Sequence, residues 1–485
     1  MGQMKYICIF ALYACLVGCY AMHPSSGGGG ATELAEDART VDPEDIALPF
    51  GYRIEAVAMG LTFPTGVTFD EKGNIYVVEA GYSYGEVWET PRLLRVRDGQ
   101  LEVIAEGGKN GPWTGATRHG GAFFVAEGGE LNGGRILRIT DDGKIAVIAD
   151  QLPSRGDHHT NGPAVGNDGL IYFGIGTATN SGIVGEDNLR FGWLKRYPDF
   201  HDTACRDVRL AGENFRTKDV VKGEGEVATG AFVPFGTTTV KGQMIKGRIP
   251  CNGAILRVKP EGGDLELFAW GFRNPFGLAF SPDGELFVTD NGYDDRGSRP
   301  VFGAGDPLWL VKQGTWYGWP DYSAGLRLDE GNQFKPFLQE KPRLLLSEYP
   351  NHPPNPAAIL PVHASANGFD FSRSDNFGHR GEAFVAEFGD QSPPTGKSLG
   401  AVGFKVVRVD VRTGVIHEFA ANKGKTTGPA SAQGSKGLER PVAARFDPSG
   451  EALYVVDFGI LKETAKGTVP QQKTGVLWRI TRELK

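Results

Sequence analysis

One unit, repeated six times, constrains this chain more than anything else in it. A turn rich in Gly or Pro leads into an apolar strand, a turn of the Asp-Gly or Asn-Gly kind follows, and a second apolar strand completes the unit. It is read at Pro64–Phe69 with Gly73–Glu79, at Thr114–Ala116 with Ala122–Glu127, and at Asn161–Val165 with Asp168–Phe173. It returns at Asn274–Phe280 with Asp283–Val288, at Asn367–Phe371 with Gly381–Ala386, and at Arg440–Ala443 with Ser449–Val456. Asp-Gly and Asn-Gly suit hairpin turns whose twist matches that of the strands. Most copies continue into a third strand of the form apolar-apolar-Arg-apolar: Leu93–Val96, Ile136–Ile139, Ile255–Val258, Val406–Val409 and Leu477–Ile480. A fourth, outer strand follows in places, as at Ile145–Ile148. Sheets of this size bury both faces only by packing on neighbours around an axis, which predicts an all-β fold, a six-bladed β-propeller over residues 46–485. Two stacked β-sandwich domains are the other packing open to such strands. The last copy ends near Ile480 without an outer strand, and Tyr52–Val57, ahead of the first copy, is placed to supply it and close the ring. Insertions around Asn180–Arg248, Asp294–Asp306 and Asp321–Pro361 are expected to build one face around the axis.

Composition agrees. Glycine supplies 70 of 485 residues, about twice the usual 7 %, which disfavours a mostly helical fold. With 40 % hydrophobic and 22 % charged residues, a wholly disordered chain is excluded. The net charge of −7 offers no strongly basic surface, which argues against broad nucleic-acid binding.

The first residues read as an export signal. Lys5 precedes an apolar run from Tyr6 to Leu16, too short to cross a bilayer comfortably and suited to the core of a secretory signal. Leu16-Val17-Gly18-Cys19 closes the run and resembles a bacterial lipobox, with an ordinary signal peptide containing a Cys as the alternative. The expected organisation is a signal peptide at 1–18, a lipidated Cys19 with a flexible linker at 19–45, and the propeller at 46–485. Cys8 and Cys15 leave with the signal, so Cys205 and Cys251 remain as an even pair in an oxidising compartment, and a disulfide between them is expected.

Four stretches rise above scaffold. Asp157-His158-His159 precedes the third hairpin; a His pair beside a carboxylate can supply a general base, with the Asp orienting the ring or raising its pKa. Metal ligation and a solvated loop are the other readings. Phe272-Arg273-Asn274-Pro275 stands at the mouth of the fourth repeat, where the Arg fork suits a carboxylate or a developing oxyanion. Asp290-Asn291-Gly292-Tyr293-Asp294-Asp295-Arg296 is oxygen-rich and suits a hard cation such as Ca²⁺, or is a plain surface turn. Trp316-Tyr317-Gly318-Trp319-Pro320-Asp321 offers rings for stacking on a sugar or cofactor, or for core packing. No Cys-x-x-Cys-His, Gly-x-Ser-x-Gly or P-loop pattern is present.

In this order the stretches resemble the glucose/sorbosone dehydrogenase family, six-bladed propellers that include soluble pyrroloquinoline quinone (PQQ) sugar dehydrogenases. The resemblance runs from about Leu48 to the C-terminus and is strongest at Trp270–Phe280, Asp290–Gly292 and Trp316–Pro320. It implies PQQ and Ca²⁺ as cofactors. It places the catalytic base on His158, with His159 the adjacent alternative and Asp157 its partner, and quinone contacts on Arg273 and Asn274. It assigns the backbone carbonyls of Gly292 and Tyr293 to Ca²⁺ and pairs Arg440 with cofactor carboxylates. Lys405 is the best placement for the family's cofactor-binding lysine. The Gly-Gln-x-Gly-Leu stretch of well-known members is not found near Asn110–Gly121.

The function so implied is oxidation of a sugar, or a related hydroxyl or hydrated aldehyde. His158 would remove a proton as hydride passes to the quinone, and an external quinone or cytochrome would take the electrons. The protein would be exported and anchored in a membrane by lipid, on the periplasmic side of an outer membrane or at the cell surface. A calcium-dependent lactonase-type hydrolase and a non-catalytic binding propeller are the competing readings, since fold alone does not choose among them.

Overall fold

Each repeat folds into a four-stranded antiparallel sheet. The computed structural model describes residues 33–34, 38–81, 89–129, 132–190, 193–390, 400–464 and 467–483; the expected signal peptide and Cys19 lie outside them. Blades one and two are the consecutive strands Pro64–Phe69, Ile75–Glu79, Arg92–Arg97 and Gln100–Glu106, then Trp113–His119, Ala122–Glu127, Gly134–Thr140 and Ile145–Leu152. Blade three is Thr160–Val165, Ile171–Ile175, Ala254–Val258 and Glu266–Trp270, and blade four is Pro275–Phe280, Leu286–Asp290, Asp306–Leu310 and Ala358–Leu360. Blade five is Ala366–Phe371, Ala383–Glu387, Lys405–Asp410 and Val415–Asn422, extended by Ile46–Ala47. Blade six is Pro441–Phe446, Ala452–Asp457 and Gly475–Arg482, and Tyr52–Leu61 pairs antiparallel with Gly475–Arg482 as its outer strand. Ring closure thus comes from the N-terminal strand, as the repeat count requires.

The period-two alternation of each strand serves two neighbours at once. Val77 and Leu94 of blade one pack with Val456 and Leu477 of blade six, whereas the adjoining Val78 and Leu93 pack with Phe123 and Leu137 of blade two. Both faces are buried, so these strands read as continuous apolar runs rather than alternating ones. The first strands touch one another in a closed ring about the axis. There is little room there: a Cβ on Gly115 would lie 2.5 Å from the Gly162 carbonyl oxygen. Every first strand also carries a register shift near its start, from Pro64/Gly66 through Pro441/Ala443. Such bulges re-aim side chains at sheet ends.

The blade-four third strand is the one that no Arg-centred motif announces, because Asp306-Pro307-Leu308-Trp309-Leu310 lacks the arginine. The three long insertions meet over one end of the ring. Residues 314–319 run beside the blade-three outer strand, donating from Gly314 and Tyr317 to the carbonyls of Phe268 and Trp270, which carries the insertion up to that end. There Arg299 binds all three insertions: Nη1 donates to the Ser181 and Pro320 carbonyls (2.9 and 2.8 Å), Nε to the Arg343 carbonyl (2.9 Å), and Nη2 to Asp321 Oδ1 (2.9 Å). A disulfide joins Cys205 to Cys251, with Cα atoms 5.0 Å apart.

Candidate functional site

His158, Arg273 and Arg440 each stand just before a first strand, at Thr160, Pro275 and Pro441, and so share one rim of the ring. Gly292 and Tyr293 follow the second strand of blade four and reach the same rim. The rim is where the insertions gather, so the repeat and the insertions together make the site.

His158 is 7 % exposed. Its Nδ1 lies 2.8 Å from the Thr177 carbonyl oxygen and 3.1 Å from Thr177 Oγ1. A carbonyl only accepts, so Nδ1 carries the proton and Nε2 is left with a lone pair. Burial, then the charges of Arg273 and Arg296, push the imidazole well below its ordinary pKa, which keeps it neutral. Gly176 lets His158 and Asn274 approach each other: a Cβ there would stand 2.2 Å from His158 Cβ and 3.0 Å from Asn274 Oδ1. His159 turns elsewhere, and burial lowers its pKa to about 4.

Asp157 does not orient the ring, contrary to expectation. Its Oδ2 sits 2.9 Å from Arg296 Nη1 and its Oδ1 accepts from Asn188 Nδ2 (3.1 Å). Asp294 and Arg296 of the oxygen-rich turn are likewise spent on ion pairs. Arg296 also meets Asp187 (2.7 Å) and Asp294 (3.1 Å). Asp294 Oδ2 in turn accepts from Arg273 Nη2 at 2.8 Å.

Arg273 is held on several sides. Nε donates to the Asn180 carbonyl (3.1 Å), Nη2 to Asn180 Oδ1 (2.9 Å), and Nη1 to the Asn291 carbonyl (3.3 Å). One Nη1 hydrogen is left uncommitted among the described residues. Asp290 accepts from the backbone N–H groups of Arg273 (3.1 Å) and Asn274 (2.7 Å). Asn274 Oδ1 accepts from Asn161 Nδ2 (3.0 Å) and its Nδ2 donates to Asn291 Oδ1 (2.7 Å). The Gly292 N–H is fixed on Asp306 Oδ1 at 2.7 Å. A cavity bordered by Arg273, Asn291, Gly292, Tyr293, Trp319 and Tyr322 opens beside this arginine. Within the aromatic stretch, Trp316 and Tyr317 pack in the core, Tyr317 stacking on Phe272 with centroids 4.4 Å apart and Trp316 fully buried, whereas Trp319 borders the cavity.

Arg440 lies between the rings of Phe388 (5.1 Å) and Phe404 (4.8 Å), and its Nη1 reaches the Asp390 carbonyl at 3.1 Å. Lys405 does not face the rim centre. It opens the third strand of blade five, two strands from the axis, and its Nζ meets Glu418 Oε2 at 3.1 Å. The reason lies in the blade. Arg92 bridges Glu79 and Glu106 in blade one, Arg135 bridges Glu127 and Asp150 in blade two, and Lys405 stands at the same position between Glu387 and Glu418.

The acidic residue that ends a second strand is the signal a repeat reading missed. Glu79, Glu127, Asp290, Glu387 and Asp457 all occupy it. Four of them accept hydrogen bonds that hold the chain leading into a first strand, as Asp457 does from the Glu439 and Arg440 N–H groups (2.9 and 2.8 Å). Glu387 differs. It is fully buried, and neither carboxylate oxygen has a hydrogen-bond partner among the described residues. Burial pushes its pKa up to about 7, against the opposing charge of Lys405. The folded state therefore holds a proton that the unfolded chain releases, and stability from this group is lost as pH rises toward 7. Glu387→Gln removes that dependence. Its stability relative to wild type is expected to grow by about 3 kcal/mol between pH 4 and pH 8, read by urea unfolding at both pH values; a constant difference would show that Glu387 titrates alike in the folded and unfolded chain.

Among the described residues, no three His, Cys, Asp or Glu side chains come together as a metal-ligand set. The glucose/sorbosone dehydrogenase family matches residues 237–391. Quinoprotein glucose dehydrogenase B of Acinetobacter calcoaceticus is 26 % identical over 182 residues, covering 37 % of this chain and 29 % of that protein. The chain thus spans about 29 % of the length of the curated relative it matches. In architecture it is similar to a putative oxidoreductase (glucose dehydrogenase) of Thermus thermophilus (TM-score 0.51, 19 % identity, 89 % of this chain and 100 % of that one). It is similar also to the PQQ-bound aldose sugar dehydrogenase of Streptomyces coelicolor (TM-score 0.51, 15 % identity, 90 % and 99 %). These likenesses establish the six-bladed propeller.

Proposed function

We propose that this chain, related to the glucose/sorbosone dehydrogenases through residues 237–391, is a PQQ- and Ca²⁺-dependent dehydrogenase that oxidises a sugar or a related hydroxyl or hydrated aldehyde. The observation that carries the proposal is the gathering on one rim of a neutral, buried His158 beside Asn274 with the buried Arg273 and the Gly292–Tyr293 backbone. The residues suit the group. Arg273 offers a charged N–H beside a cavity, and two successive backbone carbonyls are hard oxygen donors of the kind Ca²⁺ takes. When bound, PQQ supplies the two-electron, hydride-accepting centre and Ca²⁺ the polarising charge.

What the protein contributes is placement and proton handling. His158 takes the substrate hydroxyl proton at Nε2, the nitrogen that Thr177 leaves unprotonated. Arg273 and Asn274 hold the cofactor edge, Arg273 with a guanidinium already fixed by Asn180 and Asp294. Fixed donors of this kind need no reorganisation as charge develops. Arg440 remains the proposed partner of the cofactor carboxylates. The proposal includes export, lipidation at Cys19, attachment at the periplasmic face of an outer membrane or the cell surface, and an external quinone or cytochrome as acceptor. A hydrolase of the lactonase type would instead hold its metal mainly through carboxylate and amide side chains.

The test is a titration of the apo protein with PQQ and Ca²⁺, followed by the absorbance of the bound quinone and by turnover of aldoses with a dye acceptor. Binding that needs both components supports the reading, and absence of binding overturns it. Arg273→Ala is expected to weaken quinone binding and turnover together. Arg273→Lys is expected to restore neither fully, because a point charge lacks the guanidinium fork.

A further inference from the structure

The polypeptide between His158 and the buried carboxylate of Asp202 is arranged as a relay. Thr177 offers its carbonyl to His158 Nδ1 at 2.8 Å. The other end of that same peptide group is the Ala178 N–H, which donates to Asp202 Oδ1 at 2.6 Å. In a trans peptide the C=O and N–H point in opposite directions, so a carboxylate gripping the N–H aims the carbonyl at the ring. We propose that Asp202 is a positioning residue for His158, acting through the Thr177–Ala178 peptide group in place of a direct carboxylate–imidazole contact. This inference rests on the reading of His158 as the base.

Asp157, the carboxylate next to His158 in the chain, is taken by Arg296 and Asn188. Asp202 is 2 % exposed and makes a second contact to the same turn, accepting from Thr179 Oγ1 at 2.5 Å. Thr177 Oγ1, the other neighbour of Nδ1, donates to the Thr179 carbonyl at 2.7 Å. The turn is therefore fixed at Thr177, Ala178 and Thr179 by hydrogen bonds that lead back to one carboxylate. Hydrogen bonds in series polarise one another. An acceptor pulling on the Ala178 N–H strengthens the Thr177 carbonyl as an acceptor for Nδ1–H, which makes Nε2 the more basic nitrogen.

The segment that carries Asp202 is itself tied down. Asn252 Nδ2 donates to the Gly176 carbonyl (2.9 Å), and Asn252 exchanges hydrogen bonds with Thr203 through its own N–H (3.0 Å) and Oδ1 (2.9 Å). The Cys205–Cys251 disulfide joins the two strands of chain that bear Asp202 and Asn252. Both residues then grip residues 176–178 from one stapled platform.

The experiment is nitrogen-15 NMR of histidine-labelled protein without quinone, on wild type, Asp202→Asn and Asp202→Ala, paired with steady-state kinetics of the PQQ-loaded forms. Wild-type His158 is expected as the Nδ1–H tautomer. Asp202→Ala is expected to populate the Nε2–H tautomer and to lower kcat by roughly 10–100-fold, the size usual for an outer partner that orients an imidazole, with KM within about twofold. Asp202→Asn, which keeps an acceptor for the Ala178 N–H, is expected to fall between the two. A wild-type spectrum showing the Nε2–H tautomer overturns the inference whatever the variants do. So does a folded Asp202→Ala protein with unchanged tautomer and kcat. A tautomer shift in a protein that binds no quinone would uphold the relay and defeat the dehydrogenase reading instead, so the two failures are distinguishable.

Discussion

His158→Gln is expected to lower PQQ-dependent turnover by at least about 10²-fold, within the range a positioned general base contributes, while leaving quinone binding close to wild type. Glutamine fills the space of the ring and can meet the Thr177 carbonyl through its amide, yet it has no lone pair basic enough to take a hydroxyl proton. His159→Ala is the control. Its ring lies outside the contacts that fix His158, so it should leave turnover intact; a dead His159→Ala beside an active His158→Gln would move the base by one residue. The pH dependence carries a sign as well. Burial and two nearby guanidinium groups hold the His158 pKa well below the ordinary 6.5. As the proposed base, His158 is expected to stay competent below that value, and the acid limb of kcat/KM to fall at lower pH than free imidazole would give. The same shift makes the unfolded chain bind the extra proton, so stability from this group is full above the ordinary value and is lost as pH falls through the window below it.

Arg299→Met is expected to cost about 3–5 kcal/mol, the usual penalty for stranding one partner of a buried ion pair. Both side chains are wholly excluded from solvent, at 0 % exposure each. Removing the guanidinium leaves Asp321 charged in the interior and the carbonyls of Ser181, Pro320 and Arg343 without their donor. Asp321 also holds the backbone N–H groups of Leu345 and Leu346 (2.9 and 2.8 Å) and the Tyr349 hydroxyl (3.1 Å). The loss should therefore spread through the insertions and spare the blades. Chemical unfolding should show an early transition ahead of the main one, and limited proteolysis should cut first between residues 320 and 350. Unchanged unfolding and unchanged cleavage would mean that the insertions are held by their aromatic packing alone.

Much of the rim was readable because the blade repeat fixes where each segment ends. Once Asn274–Phe280 is a first strand, Arg273 and Asn274 must stand at its head. The same logic puts Gly292 and Tyr293 just past the second strand, at the same end. Lys405 shows the limit of such reading. Matched as a lone lysine it suits a cofactor; set beside Arg92 and Arg135 it is the basic member of a blade-internal pair, and only pairing register makes that visible. Asp157 shows a second limit, since adjacency in sequence to His158 did not bring its carboxylate to the ring.

The sequence by itself determined the hairpins, their number, a closing strand at Tyr52–Val57 and the rim on which the candidate residues lie. The hairpins depend on turn chemistry and two-residue periodicity, which act between residues close in the chain, whereas the closing strand is assigned by counting repeats and pairs with Gly475–Arg482 at the far end of the chain. Tertiary structure alone decided who partners whom on that rim. Arg273 meets Asn180 across 93 positions, Asn180 meets Asp294 across 114, and Arg299 meets Ser181 across 118. Those contacts form when irregular insertions fold over the ring and their buried charges and carbonyls must be satisfied together. No local pattern carries that information, because the choice of partner is settled by the shape of the whole face.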